Sequence, residues 1–221
     1  MGPAVGREES PPESTSAQPE LVVATSNPGK LREFQELLRE LPISLLSLST
    51  FPGVVMPEEG SDYRENALRK ANSVAEATGR PALADDSGLE VSALRGAPGP
   101  GSARYGGPGL DDSGRVERLL AALQGEADRS ARFVCIAALA LPSGASFTAL
   151  GTCPGTILAA PRGSTGFGYD PIFQPHGQVV SMAELPAEQK NRISHRGRAL
   201  AALAADLERQ LLATAPQRDS G

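Results

Sequence analysis

Apolar residues form alternating strand-like and helix-like runs along most of the chain. Leu21–Ala24 is a short apolar run typical of a buried strand, and leucine and phenylalanine then recur at helical spacing over residues 31–41. Ser26 or Asn27 is predicted to cap this helix, and Pro28 suits its first turn. The segment therefore predicts a strand, a polar loop and a helix.

The same alternation continues through the middle of the chain. A second helix is predicted over Glu65–Thr78, closed by Gly79. Ala82–Ala84 is predicted to be a strand. The polar segment Asp85-Asp86-Ser87-Gly88 follows it, and a further apolar stretch lies at 89–91.

The second half adds a helix, a hairpin and a final helix. Asp112 or Ser113 is predicted to cap a helix over Val116–Leu123. The last predicted elements are two long strands joined by a short turn, 132–141 and 146–158, and a helix from about His195. Helices that alternate with strands, together with one inserted hairpin, predict an α/β fold with a mixed sheet.

Length and composition predict one domain between two tails. The 221 residues suit a single domain over 20–213. Residues 1–19 are rich in proline and serine without apolar periodicity, so we expect a disordered extension, and we expect a frayed tail over 214–221.

Charge and composition exclude several classes of partner. The formal net charge is −5 and there is no tryptophan, so we expect neither a nucleic-acid nor an anionic-membrane partner. No apolar run approaches the about 20 residues of a membrane span, and Cys135 and Cys153 lie in apolar strands, typical of buried free thiols. We therefore expect a cytoplasmic protein.

The loop before the first helix is a candidate phosphate site. A helix N-terminus offers free N–H groups and a partial positive charge, and a lysine follows within one turn. The alternative is an ordinary capped helix with a surface lysine. The loop residues are Thr25, Ser26, Asn27, Pro28, Gly29 and Lys30.

Two groups of carboxylates are candidates for Mg²⁺ binding and acid–base chemistry. Glu58 and Glu59 lie in an acidic stretch, and Asp85 and Asp86 are adjacent on the predicted strand. Neighbouring strand residues point to opposite faces, so the two aspartates are expected to have different roles unless a bend at Ser87-Gly88 turns both inward. The alternative is that Asp-Asp-Ser-Gly is turn chemistry.

Two further segments could contact a nucleotide. Phe167, Gly168, Tyr169 and Asp170 could form a wall for a purine base, or a turn whose aromatic rings fill the core. Residues 190–198 concentrate cations and one of the two histidines, either as a binding patch or as the solvated start of a helix.

Taken in order, these motifs resemble the bacterial branch of the inosine triphosphate pyrophosphatase family, the dITP/XTP pyrophosphatases. The resemblance covers about residues 20–212. Its motifs are Thr-Ser-Asn-Pro-Gly-Lys at 25–30, Glu58, Glu65-Asn66-Ala67, 84–89, Ser102-Ala103-Arg104-Tyr105, 166–173, Lys190 and 193–197.

The resemblance implies an elongated two-lobed α/β fold around a long curled mixed sheet, with the active cleft between the lobes, in a homodimer. It implies Mg²⁺-dependent hydrolysis of inosine, deoxyinosine and xanthosine triphosphates to the monophosphate and pyrophosphate. Rival functions are a non-catalytic nucleotide-binding module and a pyrophosphatase for modified pyrimidine triphosphates.

The resemblance also implies residue roles. Residues 25–30 would hold the triphosphate, Asp86 would be the general base and a metal contact, and Glu58 would be the second metal ligand, with Glu59 the alternative. Ser87, Phe167–Asp170 and Lys190 would bind the nucleotide, and Lys70 would contact phosphate. His195 and Arg196 would read the base.

Selection of the base follows from its hydrogen-bonding edge. Inosine and xanthosine present an O6 acceptor where adenosine presents an N6 donor, so Arg196 or a protonated His195 would disfavour ATP. Guanine also carries O6, and the residue that rejects GTP is left open.

Overall fold

The computed structural model describes residues 18–212. The predicted tail over 214–221 lies outside the described residues, as does the predicted extension except for its last two positions. No helix within 18–212 is long and apolar enough to cross a membrane.

Helices and strands alternate along the chain, as the apolar pattern predicts. The strands are β1 Glu20–Val23, β2 Ser44–Ser47, β3 Ala82–Val91, β4 Pro98–Gly99, β5 Ser130–Ala140, β6 Ser146–Ile157 and β7 Phe173–Pro175. The helices are α1 Pro28–Leu37, α2 Tyr63–Thr78, α3 Asp112–Ala122, α4 Ala187–Ile193 and α5 His195–Leu207, and a π-helical turn, Glu208–Leu212, follows α5.

One mixed sheet in the order β2-β1-β3-β5-β6-β7 connects these elements, with β4 also paired to β3. β1 is parallel to β2 and β3, whereas the other pairs are antiparallel. β1 pairs with β3 up to Leu83, and β4 pairs with it from Leu89 on the same edge. The edge of β3 is thus open between these two residues, and Asp85–Gly88 lie in the gap.

Three hydrophobic clusters divide the molecule into two lobes. In one lobe, α1 and α5 pack on one face of the sheet around Phe34 and Leu203, and α2 packs on the other face around Val74. The second lobe is built from α3, β7 and the far ends of β3, β5 and β6, around Leu119 and Phe173. The predicted α/β fold with two lobes, a curled mixed sheet and a cleft is confirmed.

The Asp-Asp-Ser-Gly segment is strand, and its alternative interpretation as turn chemistry is wrong. β3 pairs continuously with β5, from Ala82 opposite Ala140 to Val91 opposite Ala131. The long partner strand holds these turn-prone residues extended, since tertiary pairing overrides their local preference.

Helix starts differ slightly from prediction. Asn27, not Ser26, caps α1, because its side chain accepts hydrogen bonds from the N–H groups of Gly29 and Lys30. α2 begins at Tyr63 with Asp62 as its cap, two residues before the predicted Glu65. α3 is capped by Asp111 and covers Asp112–Ala122. It therefore begins four residues before the predicted Val116 and ends one residue before the predicted Leu123.

Sequence patterns missed the short elements β2, β4, β7 and α4. Strands of two to four residues are too short to show alternation, and α4 has seven residues. The predicted hairpin of β5 and β6, the start of α5 at His195 and the buried free thiols of Cys135 and Cys153 are confirmed.

Gly151 on β6 lets the first turn of α5 approach the sheet. A Cβ atom at this position would lie 2.0 Å from the carbonyl oxygen of His195 and 2.3 Å from the backbone nitrogen of Ala199. Because both neighbours are backbone, the helix could not give way cheaply. The absence of a side chain at Gly151 therefore sets the position of His195 and Arg196.

We predict that Gly151→Ala lowers the free energy of unfolding by about 1–3 kcal/mol, because it overpacks a helix against a strand. The matched control is Gly53→Ala, since a Cβ atom at Gly53 meets no atom within 4 Å. Urea unfolding of both variants measures the difference. Equal stability of the two variants would contradict this packing argument.

Candidate active site

The gap in the β3 edge opens into a cleft with two connected chambers. The aromatic chamber is lined by Phe133, Phe167, Tyr169 and His195 among others. The polar chamber is lined largely by the loop before α1 and by charged side chains of both lobes. The two chambers share the residues Asn27, Lys30, Glu59 and Ala103, so that a single elongated ligand could occupy both.

The loop before α1 forms one wall of the cleft. Thr25, Ser26, Asn27 and Lys30 line the polar chamber. Pro28 and Gly29 instead support this wall. Pro28 is the first residue of the helix, and a Cβ atom at Gly29 would lie 2.6 Å from Cδ1 of Phe167. The ring of Phe167 thus packs directly on the loop backbone.

Asp85 is the centre of a buried charge network on one face of β3. Its Oδ2 accepts hydrogen bonds from Arg196 Nη2 at 2.9 Å and from Ser87 Oγ at 2.9 Å. Lys30 Nζ lies 3.0 Å from Oδ1, an ion pair without hydrogen-bond geometry. Burial alone would raise the pKa of Asp85, but Arg196 and Lys30 outweigh it and hold the pKa far below its ordinary value.

Asp86 faces the opposite side of the strand, as the alternation predicts. Its carboxylate accepts hydrogen bonds from Asn66 Nδ2 at 3.0 Å and Lys70 Nζ at 2.9 Å, both on α2. Burial raises the pKa of Asp86 in spite of Lys70. The carboxylate is therefore a better proton acceptor than an ordinary aspartate.

Glu58 and Glu59 differ in their surroundings. Glu59 bonds Lys70 at 2.9 Å and Arg104 at 2.5 Å, so its charge is already compensated. Glu58 is exposed and lines the polar chamber. Within residues 18–212, no three His, Cys, Asp or Glu side chains are grouped so as to hold a metal ion.

The loop over 166–170 closes the aromatic chamber. Asp170 accepts a hydrogen bond from the backbone N–H of Phe167 at 2.9 Å and from Lys190 Nζ at 2.5 Å. Tyr169 is buried and donates its hydroxyl proton to the Ser102 carbonyl, so it holds the lobe together. Gly168 lines the same chamber.

Lys190, on α4, connects this loop to α1. It also pairs with Glu33 at 2.7 Å and lies 5.2 Å from the centre of the Phe167 ring.

His195 and Arg196 enter the aromatic chamber from the N-terminus of α5. Arg196 is 1% exposed, and most of its N–H groups are used by Asp85, Ser87 and Glu33. The ring of His195 stacks on Phe133 with centroids 4.7 Å apart. Burial and then Arg196 lower the pKa of His195 well below its ordinary value. This direction of the pKa favours the neutral ring near pH 7, against the protonated His195 considered above as a reader of the base.

Several residues at the cleft were missed from the sequence as site residues. Glu33 carries no motif signal and is found only because α1 faces Arg196 and Lys190. Asn66 and Arg104 lie within motifs of the resemblance, so those motifs could have pointed to them. Arg115, on α3, lines the aromatic chamber and lies in no motif.

Comparisons with known proteins identify the family of the chain. The sequence pattern that describes the Ham1 family matches residues 21–206. The chain belongs to the Ham1 family.

Relatives and solved structures of the Ham1 family resemble the chain over most of its length. It is 49% identical to the dITP/XTP pyrophosphatase of Desulfotalea psychrophila over 189 residues, 85% of each chain. It is 50% identical to that of Syntrophobacter fumaroxidans over 194 residues, 86% of this chain and 83% of the relative. A Ham1 protein structure from Coxiella burnetii matches with a TM-score of 0.78 at 45% identity, covering 86% of this chain and 98% of that one.

We predict that the neutral, buried His195 makes the protein lose stability as the pH falls. Below the ordinary histidine pKa of about 6.5, the unfolded chain binds a proton that the folded state excludes. The free energy of unfolding should therefore decrease as the pH falls through this value, by at most about 1.4 kcal/mol per pH unit for one proton.

Urea unfolding between about pH 7.5 and pH 5.5 measures this slope. His195→Gln should flatten it. His176→Gln, at the exposed second histidine, is the matched control and should keep the wild-type slope. An unchanged slope in His195→Gln would assign the pH dependence to other groups.

Proposed function

We propose that the protein hydrolyses inosine, deoxyinosine and xanthosine triphosphates to the monophosphate and pyrophosphate. The observation that carries this proposal is the pair of joined chambers, one aromatic and one lined by lysines. Asp86 lines the aromatic chamber and bonds Lys70, which lines the polar one. A base in the first chamber and phosphates in the second would place the bond to be cleaved near this carboxylate.

The polar chamber can compensate the negative charge of a triphosphate, although the protein itself carries a net negative charge. Lys30, Lys70 and Arg104 line it, together with the N-terminus of α1. Each of these cations is paired with a carboxylate. Phosphate oxygens can replace such partners without a large change in side-chain position, because the cations are held in place beforehand.

Asp86 is proposed as the general base. Its raised pKa favours acceptance of a proton from a water molecule, and Asn66 and Lys70 fix its orientation. A water held by Asp86 would attack the α-phosphorus in line with the leaving pyrophosphate. Lys70, beside Asp86, would stabilise the negative charge on the phosphates.

The carboxylates at the cleft fit Mg²⁺ as the cofactor. Mg²⁺ commonly uses one or two carboxylates, with water and substrate phosphates as the other ligands, so a site without three grouped protein ligands suits it. Glu58 and Asp86 are the proposed ligands, because Glu59 already compensates Lys70 and Arg104. When bound, Mg²⁺ would stabilise charge on the leaving pyrophosphate.

The aromatic chamber is proposed to hold the purine. Phe167 provides a flat face, Ser87 and Lys190 line the chamber, and Arg196 and the neutral ring of His195 face into it. With most of its N–H groups occupied, Arg196 has little capacity left for O6, so its main proposed role is to hold Asp85 and the chamber wall in place. Adenine, with a donor at this edge, would leave a buried donor unpaired.

We also propose a homodimer located in the cytoplasm, without nucleic-acid or membrane partners. The resemblance supports the dimer, and the net charge of −5 supports the absence of polyanionic partners.

Pyrophosphate release from a panel of triphosphates with Mg²⁺ tests the proposal. ITP, dITP and XTP should be cleaved much faster than ATP. Preferred cleavage of modified pyrimidine triphosphates would replace the proposed substrate class. Binding without cleavage would identify a non-catalytic module.

We predict that Asp86→Asn lowers kcat by at least ~10²-fold, the low end for loss of a general base. Asp85→Asn is the matched comparison, because this neighbour on the opposite face balances Arg196 and Lys30. It should lower kcat less and the free energy of unfolding more. Turnover near the wild-type value in Asp86→Asn would remove this residue from the mechanism.

We predict that Glu58→Gln raises the Mg²⁺ concentration for half-maximal rate at least about tenfold. Glu59→Gln should instead change the rate by releasing Lys70 and Arg104, with little effect on that concentration. Mg²⁺ titrations of both variants separate the roles. The reverse pattern would make Glu59 the ligand.

A further inference from the structure

The cations that line the cleft fall into two groups. Lys30, Lys70, Lys190, Arg104 and Arg196 each have a carboxylate within 4.0 Å. Arg115 lines the aromatic chamber as well, but it forms no ion pair with any residue in 18–212. Its Nε is buried and has no hydrogen-bond partner among the described residues.

The neighbouring carboxylate does not compensate Arg115. Asp112, one turn earlier on α3, also lines the aromatic chamber, but its Oδ2 accepts a hydrogen bond from the backbone N–H of Gly168 at 2.7 Å. Because Nε is inaccessible from the chamber, a contact from Arg115 to a ligand would use the terminal N–H groups of the guanidinium.

Arg115 and Arg196 approach the chamber from different elements. Arg196 belongs to α5 and Arg115 to α3, in the second lobe. Arg115 lines the aromatic chamber and not the polar one. A contact from Arg115 to a ligand would therefore fall in the aromatic chamber, on the base rather than on the phosphates.

The purines differ most at position 2, which carries an oxygen acceptor in xanthine, a hydrogen in inosine and an amino donor in guanine. Xanthosine also loses a ring proton far more readily than inosine or guanosine, so its base can carry negative charge near neutral pH. A cation without a carboxylate partner would bind both the oxygen at position 2 and the negative charge of xanthine. The same cation would place a donor opposite the amino group of guanine, which is also a donor.

We propose that Arg115 is a specificity-determining residue that reads position 2 of the base, favouring XTP over ITP and disfavouring GTP. This inference rests on the proposed function, and it assigns a residue to the rejection of GTP that the sequence left open.

The test compares kcat/KM for XTP, ITP and GTP in wild type, Arg115→Gln and Arg115→Lys. Arg115→Gln should lower the ratio of kcat/KM for XTP to that for ITP about tenfold. It should also raise kcat/KM for GTP relative to that for ITP. Arg115→Lys, which keeps the charge, should retain more of the XTP preference. Arg118→Gln is the matched control, because this exposed arginine lies on α3 outside both chambers and should keep the wild-type ratio.

Binding of the products XMP and IMP, measured by calorimetry without turnover, separates this inference from the proposed function. Arg115→Gln should weaken XMP binding about tenfold more than IMP binding. An unchanged XMP/IMP ratio in a folded Arg115→Gln variant overturns the inference, as does an equal loss for all three triphosphates. If wild type cleaves no purine triphosphate, the proposed function fails, and the XMP/IMP comparison still decides the role of Arg115.

Discussion

The ion pair between Asp85 and Arg196 joins two parts of the cleft that lie 111 residues apart in the sequence. Asp85 lies on the central strand, Arg196 lies in the first turn of α5, and Glu33 on α1 binds the same guanidinium. Two charges this deeply buried cost several kcal/mol each to desolvate, so each depends on its partners. The network fixes α1, β3 and α5 relative to one another, and with them Lys30 in the first turn of α1.

The two faces of β3 give the adjacent aspartates different surroundings. Asp85 is surrounded by cations that keep it ionised, whereas Asp86, one residue later, has its pKa raised by burial. The pleat of the strand places these two carboxylates in different environments without any difference in their chemistry. Only the open stretch of edge between β1 and β4 lets Asp86 face a ligand.

Most of the cations that line the cleft form ion pairs with carboxylates of the protein itself. Lys70 is shared by Glu59 and Asp86, and Lys190 by Glu33 and Asp170. Such pairing keeps long side chains oriented before a ligand arrives. Arg115 differs from this pattern, because it lines the aromatic chamber without a carboxylate partner among residues 18–212.

The sequence by itself determined the alternation of strands and helices, the α/β class and the motifs of the cleft. Apolar periodicity and helix caps are local, so they can be read directly from residues such as Asn27 and Gly79. Tertiary structure alone decided that 85–88 is strand, since β5 pairs along its whole length. It also decided which cations are compensated, because Glu33 meets Arg196 only after residues 163 positions apart are folded together. Ion pairing and burial at such separations leave no periodic signal in the chain.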